Sequence, residues 1–270
     1  MILSDFRYQD PWAEENFTLP EFVQESQAQQ RQDQQAQINR KMLNMLIDKL
    51  SQKDIVGLEV AIEYLRHKYR QNCKANTLKN DYTTVTLFLS YLTNCGRKEL
   101  NQISRATLEA FVEHEQDRGL KIISVSNRLG ALYAFLRYLI DHDLADAQLL
   151  TRKIKLKVPD ALPRAMEADD VKCLLAVLDD VRNRAMILLL LRTGMRIGEL
   201  LNTKLIDVHL ADKKIMVYEG EKNRKGRAVC FSIDASEALQ NWLQQRDSKK
   251  EYLFYAQGRQ NMSYNNARVI

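Results

Sequence analysis

Nine consecutive residues, Thr193 to Leu201 (TGMRIGELL), put an arginine where it can do chemistry. They follow a short apolar run, Met186 to Leu191, and Thr193-Gly194 is a break that reorients the chain, so Arg196 stands at the start of a new helix. Glu199 comes three residues later, on the same helical face. The flanking Ile and Leu pattern predicts that Arg196 lies beside buried positions. A buried guanidinium needs partners, and a phosphodiester gripped by two parallel N–H groups is a good one. The plainer alternative is an Arg-x-x-Glu pair on a helix surface.

A second group of cations lies downstream. Lys213 to Ile233 (KKIMVYEGEKNRKGRAVCFSI) contains two β-type runs, Ile215 to Tyr218 and Ala228 to Ile233. A charged turn with Gly220 and Gly226 separates them, which predicts a β-hairpin. Lys222, Arg224, Lys225 and Arg227 crowd that turn. Such a loop suits a groove or a phosphate, and a lysine held there can protonate an alkoxide leaving group. Upstream, Arg152, Lys153, Lys155 and Lys157 alternate with Ile and Leu. In an extended segment several of them share one side. That favours a strap along a phosphate backbone over an ordinary charged linker.

The net charge of the 270 residues is +5, unevenly spread. Residues 1–54 hold six Lys/Arg and nine Asp/Glu, a net of −3, so the remainder carries +8. A basic body behind an acidic, Gln-rich front suits a polyanionic partner, and on charge alone it suits a merely solvated surface equally well. Cys73, Cys95, Cys173 and Cys230 are scattered without a CxxC pair, so they read as free thiols in a reducing compartment, with no metal site expected. There is no signal-peptide pattern and no apolar run long enough to span a bilayer. A cytoplasmic protein with no membrane partner is expected.

The positioning elements are mostly helices. The fold class expected is mainly α with a small β-hairpin or sheet (α+β). Residues 1 to about 30 read as irregular, Gln24 to Gln37 as a polar tract, and Asn39 to Leu50 as a short helix; together 1–54 form an N-terminal appendage, partly disordered. Residues 55–143 read as a four-helix bundle: Ile55 to Tyr69, Asn76 to Leu92, a helix capped by Ser104 and running to His114, and a helix opened by Ser124 and running to Ile140. A basic linker covers 144–161. A second domain, 162–270, holds the arginine and the hairpin, then Ala235 to Gln244 as a helix and a last helix with Ser263 as N-cap.

Taken together these residues resemble the tyrosine recombinase (phage integrase) family over about 55–270, in the style of integrases and Xer-type recombinases. LPRAMEADDV, 162–171, is similar to the entry of its catalytic domain. LLLLRTGMRIGELLNTKLIDV, 188–208, is similar to its first catalytic-arginine box. GEKNRKGRAVCF, 220–231, is similar to its catalytic-lysine hairpin, although Glu221 and Asn223 stand where glycine usually flanks the lysine. Asn76-Thr77 to Leu92 and Val125 to Leu129 are similar to its helical, SAM-like core-binding domain, which clamps DNA from the opposite side.

In that family a tyrosine attacks the scissile phosphate, two arginines stabilise phosphoryl charge, and a lysine protonates the leaving oxygen without a metal or other cofactor. The resemblance makes Arg196 the first arginine and Lys222 the lysine, with Lys225 as the second candidate, and Glu199 a brace. It implies DNA contacts from Thr77, Lys79, Asn127, Arg128, Lys153, Lys155, Lys157, Arg164, Arg224, Lys225 and Arg227, and other recombinase protomers as partners on DNA. The family's His-x-x-Arg box and tyrosine nucleophile are not found after Arg196. His209 is the only histidine there, with Asp212 three residues on, and Tyr218, Tyr252, Tyr255 and Tyr264 come too early. The expectation is a C-terminally truncated recombinase that does not cleave DNA by itself, or else a non-catalytic DNA-binding module.

Overall fold

The computed structural model describes residues 21–159, 165–218 and 226–270, with side chains of the first helix given for Gln29 and from Asp33 onward. The described residues divide into two compact units, 21–159 and 165–270. Among the described residues no helix is long and apolar enough to cross a membrane.

The N-terminal unit is a bundle of five helices: α1 (Glu21–Ser51), α2 (Leu58–Arg70), α3 (Ala75–Asn94), α4 (Arg105–Asp117) and α5 (Ile122–Asp141). Its core gathers Leu65, Leu78, Phe88, Leu132, Phe135 and Leu136, each almost inaccessible. Tyr64 meets Phe135 edge-on with centroids 5.1 Å apart, and Phe88 meets Phe111 at the same distance. These are the geometries that the ring quadrupole favours.

The first helix corrects the expectation of an irregular front end and a separate appendage. It runs through the polar tract, because glutamine and arginine are good helix formers even without an apolar face. From Asn39 it belongs to the bundle: Leu43, Leu46 and Leu50 are buried at helical spacing in the core of the unit. The buried Asn39 side chain accepts the backbone N–H of Ala75 at 3.0 Å. That supplies from another helix one of the N–H partners that the start of α3 lacks. Residues 1–20 of the expected irregular segment lie outside the described residues.

Ser104 caps α4 as expected. Its hydroxyl accepts from Thr107 N at 3.3 Å, while its own N–H donates to Thr107 Oγ1 at 3.2 Å. Ser124 does not open α5, which starts two residues earlier behind Lys121, whose side chain makes no capping bond. At the start of α2, Gly57 adopts φ +72°, and an added Cβ would lie 2.8 Å from Leu100 Cδ1. Gly96 has the same φ with open space around it. Gly57→Ala is therefore expected to cost about 2–3 kcal/mol in urea unfolding and Gly96→Ala about 1 kcal/mol. Equal losses would show that the Leu100 contact relaxes freely.

The segment after α5 was expected as a linker and is partly built onto the bundle. From Lys153 to Pro159 burial alternates: Ile154, Leu156 and Val158 are half-buried, while Lys153, Lys155 and Lys157 are exposed. Ile154 and Leu156 pack on Val112, Val125 and Leu129. Ile154 N donates to the Tyr133 hydroxyl at 2.6 Å, and Arg105 Nη1 donates to the Arg152 carbonyl at 2.7 Å.

The C-terminal unit contains α6 (Ala168–Ala176), α7 (Val181–Thr193), α8 (Ile197–Leu201), strands β1 (Val208–His209), β2 (Lys214–Val217) and β3 (Arg227–Cys230), then α9 (Ile233–Gln245) and α10 (Tyr264–Ala267). The strands form an antiparallel sheet in the order β1-β2-β3. The expected hairpin is β2-β3, paired from Lys214↔Cys230 to Val217↔Arg227. β1 adds a two-residue edge strand. Leu189, Leu200, Ile215, Leu239, Leu253 and Phe254 form the core of the unit, and the Trp242 indole donates to the Leu253 carbonyl at 3.0 Å. Ser263 caps α10 by accepting from Asn266 N.

Candidate active site and nucleic-acid interface

α7 ends at Gly194, which takes the left-handed conformation at φ 62° that a helix C-terminus commonly needs. The chain turns, and Arg196 becomes the N-cap residue of α8. The apolar side of that short helix is taken by Leu200 and Leu201, which are buried. Glu199, also buried, closes a ring of charge around its own N-terminus.

Four hydrogen bonds converge on the Glu199 carboxylate. Arg196 N donates to Oε2 at 2.9 Å and Arg196 Nη1 to Oε1 at 3.0 Å. From β3, Arg227 Nη1 donates to Oε1 at 3.0 Å and Nη2 to Oε2 at 2.7 Å, a bidentate clamp. The hydrogen bond from Arg227 and those from Arg196 outweigh burial and hold the Glu199 carboxyl at about 2. Arg227 in turn is raised by the carboxylate.

The expectation of a buried Arg196 is corrected here. Its side chain is 48% exposed, Arg227 is 35% exposed, and Glu199 is only 3% exposed. The cap position lies outside the first turn, so the guanidinium rides at the rim while its carboxylate partner takes the buried site. The result is two arginines braced from behind by one anion, with guanidinium surface left for a ligand. A braced cation loses little freedom when a phosphate arrives.

Val217↔Arg227 is the last pair of the β2-β3 ladder, so the loop containing Lys222 is rooted one residue from the Glu199 clamp. Lys222, Arg224 and Lys225 themselves, and Arg164, lie outside the described residues. Arg227, expected as a DNA contact, has its two terminal nitrogens committed to Glu199.

In the N-terminal unit, Thr77 and Lys79 are exposed in the first turns of α3, and Asn127 is exposed on α5. Arg128, expected beside Asn127 as a DNA contact, instead turns toward α4. Its guanidinium is bound to the carboxylate of Glu115, which is 1% exposed and also accepts from Arg118 at 2.5 Å. Sequence reasoning missed both Glu115 and the capping Asn39. Each acts through a partner at least 13 positions away, which no local spacing announces.

Two family profiles match the chain: the phage integrase N-terminal SAM-like domain over residues 61–143, and the phage integrase family over residues 164–270. The XerC tyrosine recombinase of Vibrio cholerae serotype O1 is 29% identical over 186 residues, 66% of this chain and 59% of the relative. The XerA tyrosine recombinase of Pyrococcus horikoshii is 25% identical over 203 residues, covering 75% and 66%. Among solved structures, the Tn1549 transposon integrase in complex with a circular intermediate DNA superposes with a TM-score of 0.59 at 18% identity, covering 79% of this chain and 75% of that one. A lambda integrase dimer bound to a core site gives 0.59 at 20%, covering 76% and 72%. This chain belongs to the phage integrase family, the tyrosine recombinases. It spans about three-fifths of the length of the XerC relatives that it matches.

Proposed function

We propose that this chain binds double-stranded DNA as a member of a site-specific recombination system, with Arg196 as the arginine that holds the reacting phosphate. The observation that carries this reading is the Glu199 clamp, which presents two half-exposed guanidinium groups from α8 and β3 at one place. Lys222, on the loop rooted beside that clamp, is the residue proposed to protonate the leaving oxygen. Thr77, Lys79, Asn127 and the outward lysines 153, 155 and 157 serve as backbone contacts in the N-terminal unit. Other protomers on DNA are the proposed protein partners.

For the 270 residues by themselves, in which no His-x-x-Arg follows Arg196, the activity we propose is DNA binding without cleavage. A bound but uncleaving chain would occupy recombination sites and compete with active recombinases there.

Two measurements test the reading. Fluorescence anisotropy with a labelled duplex should give an affinity that falls with salt, with a log–log slope steeper than about −3. A flat dependence overturns the DNA reading. Incubation with nicked duplexes followed by a denaturing gel should show no covalent protein–DNA adduct. An adduct would mean that a side chain of these 270 residues acts as the nucleophile and would overturn the non-cleaving half.

A further inference from the structure

Between α2 and α5 the N-terminal unit opens a cleft of about 370 Å3. Lys68 of α2, Arg137 of α5 and Lys153 of the strap all line it, with Asp141 the one carboxylate among the lining residues. Two of the three cations are held in place. The Lys153 ammonium lies 5.4 Å from the Tyr133 ring centroid, and the Tyr133 hydroxyl itself fixes the strap through Ile154 N. The Lys68 ammonium sits 3.6 Å from the buried Asp81 carboxylate and 6.0 Å from the Tyr64 ring centroid. Arg137 is exposed and makes no ion pair among the described residues. Gly130 leaves part of the lining open, with no atom within 4 Å of where a Cβ would stand.

Three cations from three elements around one pocket call for an anion. We propose that this cleft seats a phosphodiester of the DNA backbone, gripped by Arg137 and Lys153 with Lys68 behind them. The proposal rests on the DNA-binding reading above and extends it from Lys153 to a cleft whose other cations, Arg137 and Lys68, are not part of that reading. What favours a polyanion over a single carboxylate is the continuation of the row. Beyond Lys153 the strap turns Lys155 and Lys157 outward while Ile154, Leu156 and Val158 turn inward. Lysines two residues apart in an extended chain are separated by up to about 7 Å. That is about twice the 3.4 Å rise per phosphate along one strand of a duplex.

The test uses the whole chain and a labelled duplex, with anisotropy measured across salt concentrations. Lys68 is left untouched, because its loss would strand the buried Asp81. Arg137→Gln with Lys153→Gln should weaken binding roughly 10-fold or more at low salt and flatten the log–log slope by about two. Lys49→Gln with Lys98→Gln removes the same charge from exposed positions outside the cleft and should weaken binding by no more than about 3-fold, as expected for loss of long-range attraction alone. Gly130→Glu places a carboxylate in the cleft at a helix position that favours glutamate over glycine. It should mimic the double variant, while Gly130→Ala should bind like the wild type. Thermal melting by circular dichroism confirms that each variant is folded.

If wild type binds and the cleft variants lose no more than the Lys49/Lys98 pair, the cleft proposal fails alone. If the wild type shows no salt-dependent affinity, the DNA reading fails and takes this proposal with it.

Discussion

Glu199→Ala should lower the stability of the C-terminal unit by about 2–3 kcal/mol, the largest loss expected from any single polar residue there. Breaking a buried ion pair by removing one partner costs about 3–5 kcal/mol when the other charge stays buried. Here Arg196 and Arg227 are half-exposed and can turn to water, which puts the loss below that range. What remains is the loss of four hydrogen bonds, the gap behind the clamp and the cap of α8. Urea unfolding followed through Trp242, with Trp12→Phe to remove the second indole, reads the change. Glu199→Gln keeps an acceptor and should lose about half as much.

Glu199 is held at about 2, below the ordinary value of 4.5. A depressed carboxyl contributes its stability in full above the unfolded value, and loses it as pH falls through the folded one. The gap between wild type and Glu199→Gln should therefore be constant above about pH 5 and shrink from there toward about pH 2. A gap that ignores pH would mean that the carboxylate charge is not what holds the two arginines. The same variants bear on function, since a guanidinium without its brace has more freedom to lose on meeting a phosphate. Glu199→Ala should weaken DNA affinity roughly as much as Arg196→Ala does.

How much of this was legible beforehand depends on how far apart the interacting residues lie. Helices α2 to α5 show in the sequence because their apolar residues recur every three or four positions and bury one stripe. The hairpin shows because β-branched runs flank a turn. The start of α1 does not show, since its polar tract has no apolar stripe, and what fixes its end in the bundle is packing of Leu43, Leu46 and Leu50 on other helices. β1 is two residues long and exists only through its pairing with β2, so no periodicity can announce it. The Arg196–Glu199 pair is visible as a three-residue spacing. Its exposure is not, because apolar neighbours in sequence do not say which way a cap residue points. Arg227 joins the site through strand register, 28 positions from Glu199, and reads in the sequence only as another cation of a basic turn.

Glu115→Ala should cost the N-terminal unit about 3 kcal/mol, and Arg118→Ala less than about 1 kcal/mol. Both arginines touch the same carboxylate, but the Arg118 side chain is 44% exposed and Arg128 only 24%, so water replaces the first partner far more easily than the second. The Glu115–Arg128 pair spans the turn between α4 and α5, and α5 is the helix that carries Asn127 and Arg137. A double-mutant cycle with Glu115→Ala and Arg128→Ala, read by urea unfolding at 222 nm, should give a coupling of about 2 kcal/mol. The same cycle decides what Arg128 does on DNA. If Arg128 is a brace, Arg128→Ala and Glu115→Ala weaken DNA binding equally, through α5, and the salt slope stays that of the wild type. If Arg128 leaves Glu115 for a phosphate, Arg128→Ala flattens the slope by about one, and Glu115→Ala tightens binding by freeing the cation. The bonding in the free chain, with the carboxylate buried behind the guanidinium, favours the brace.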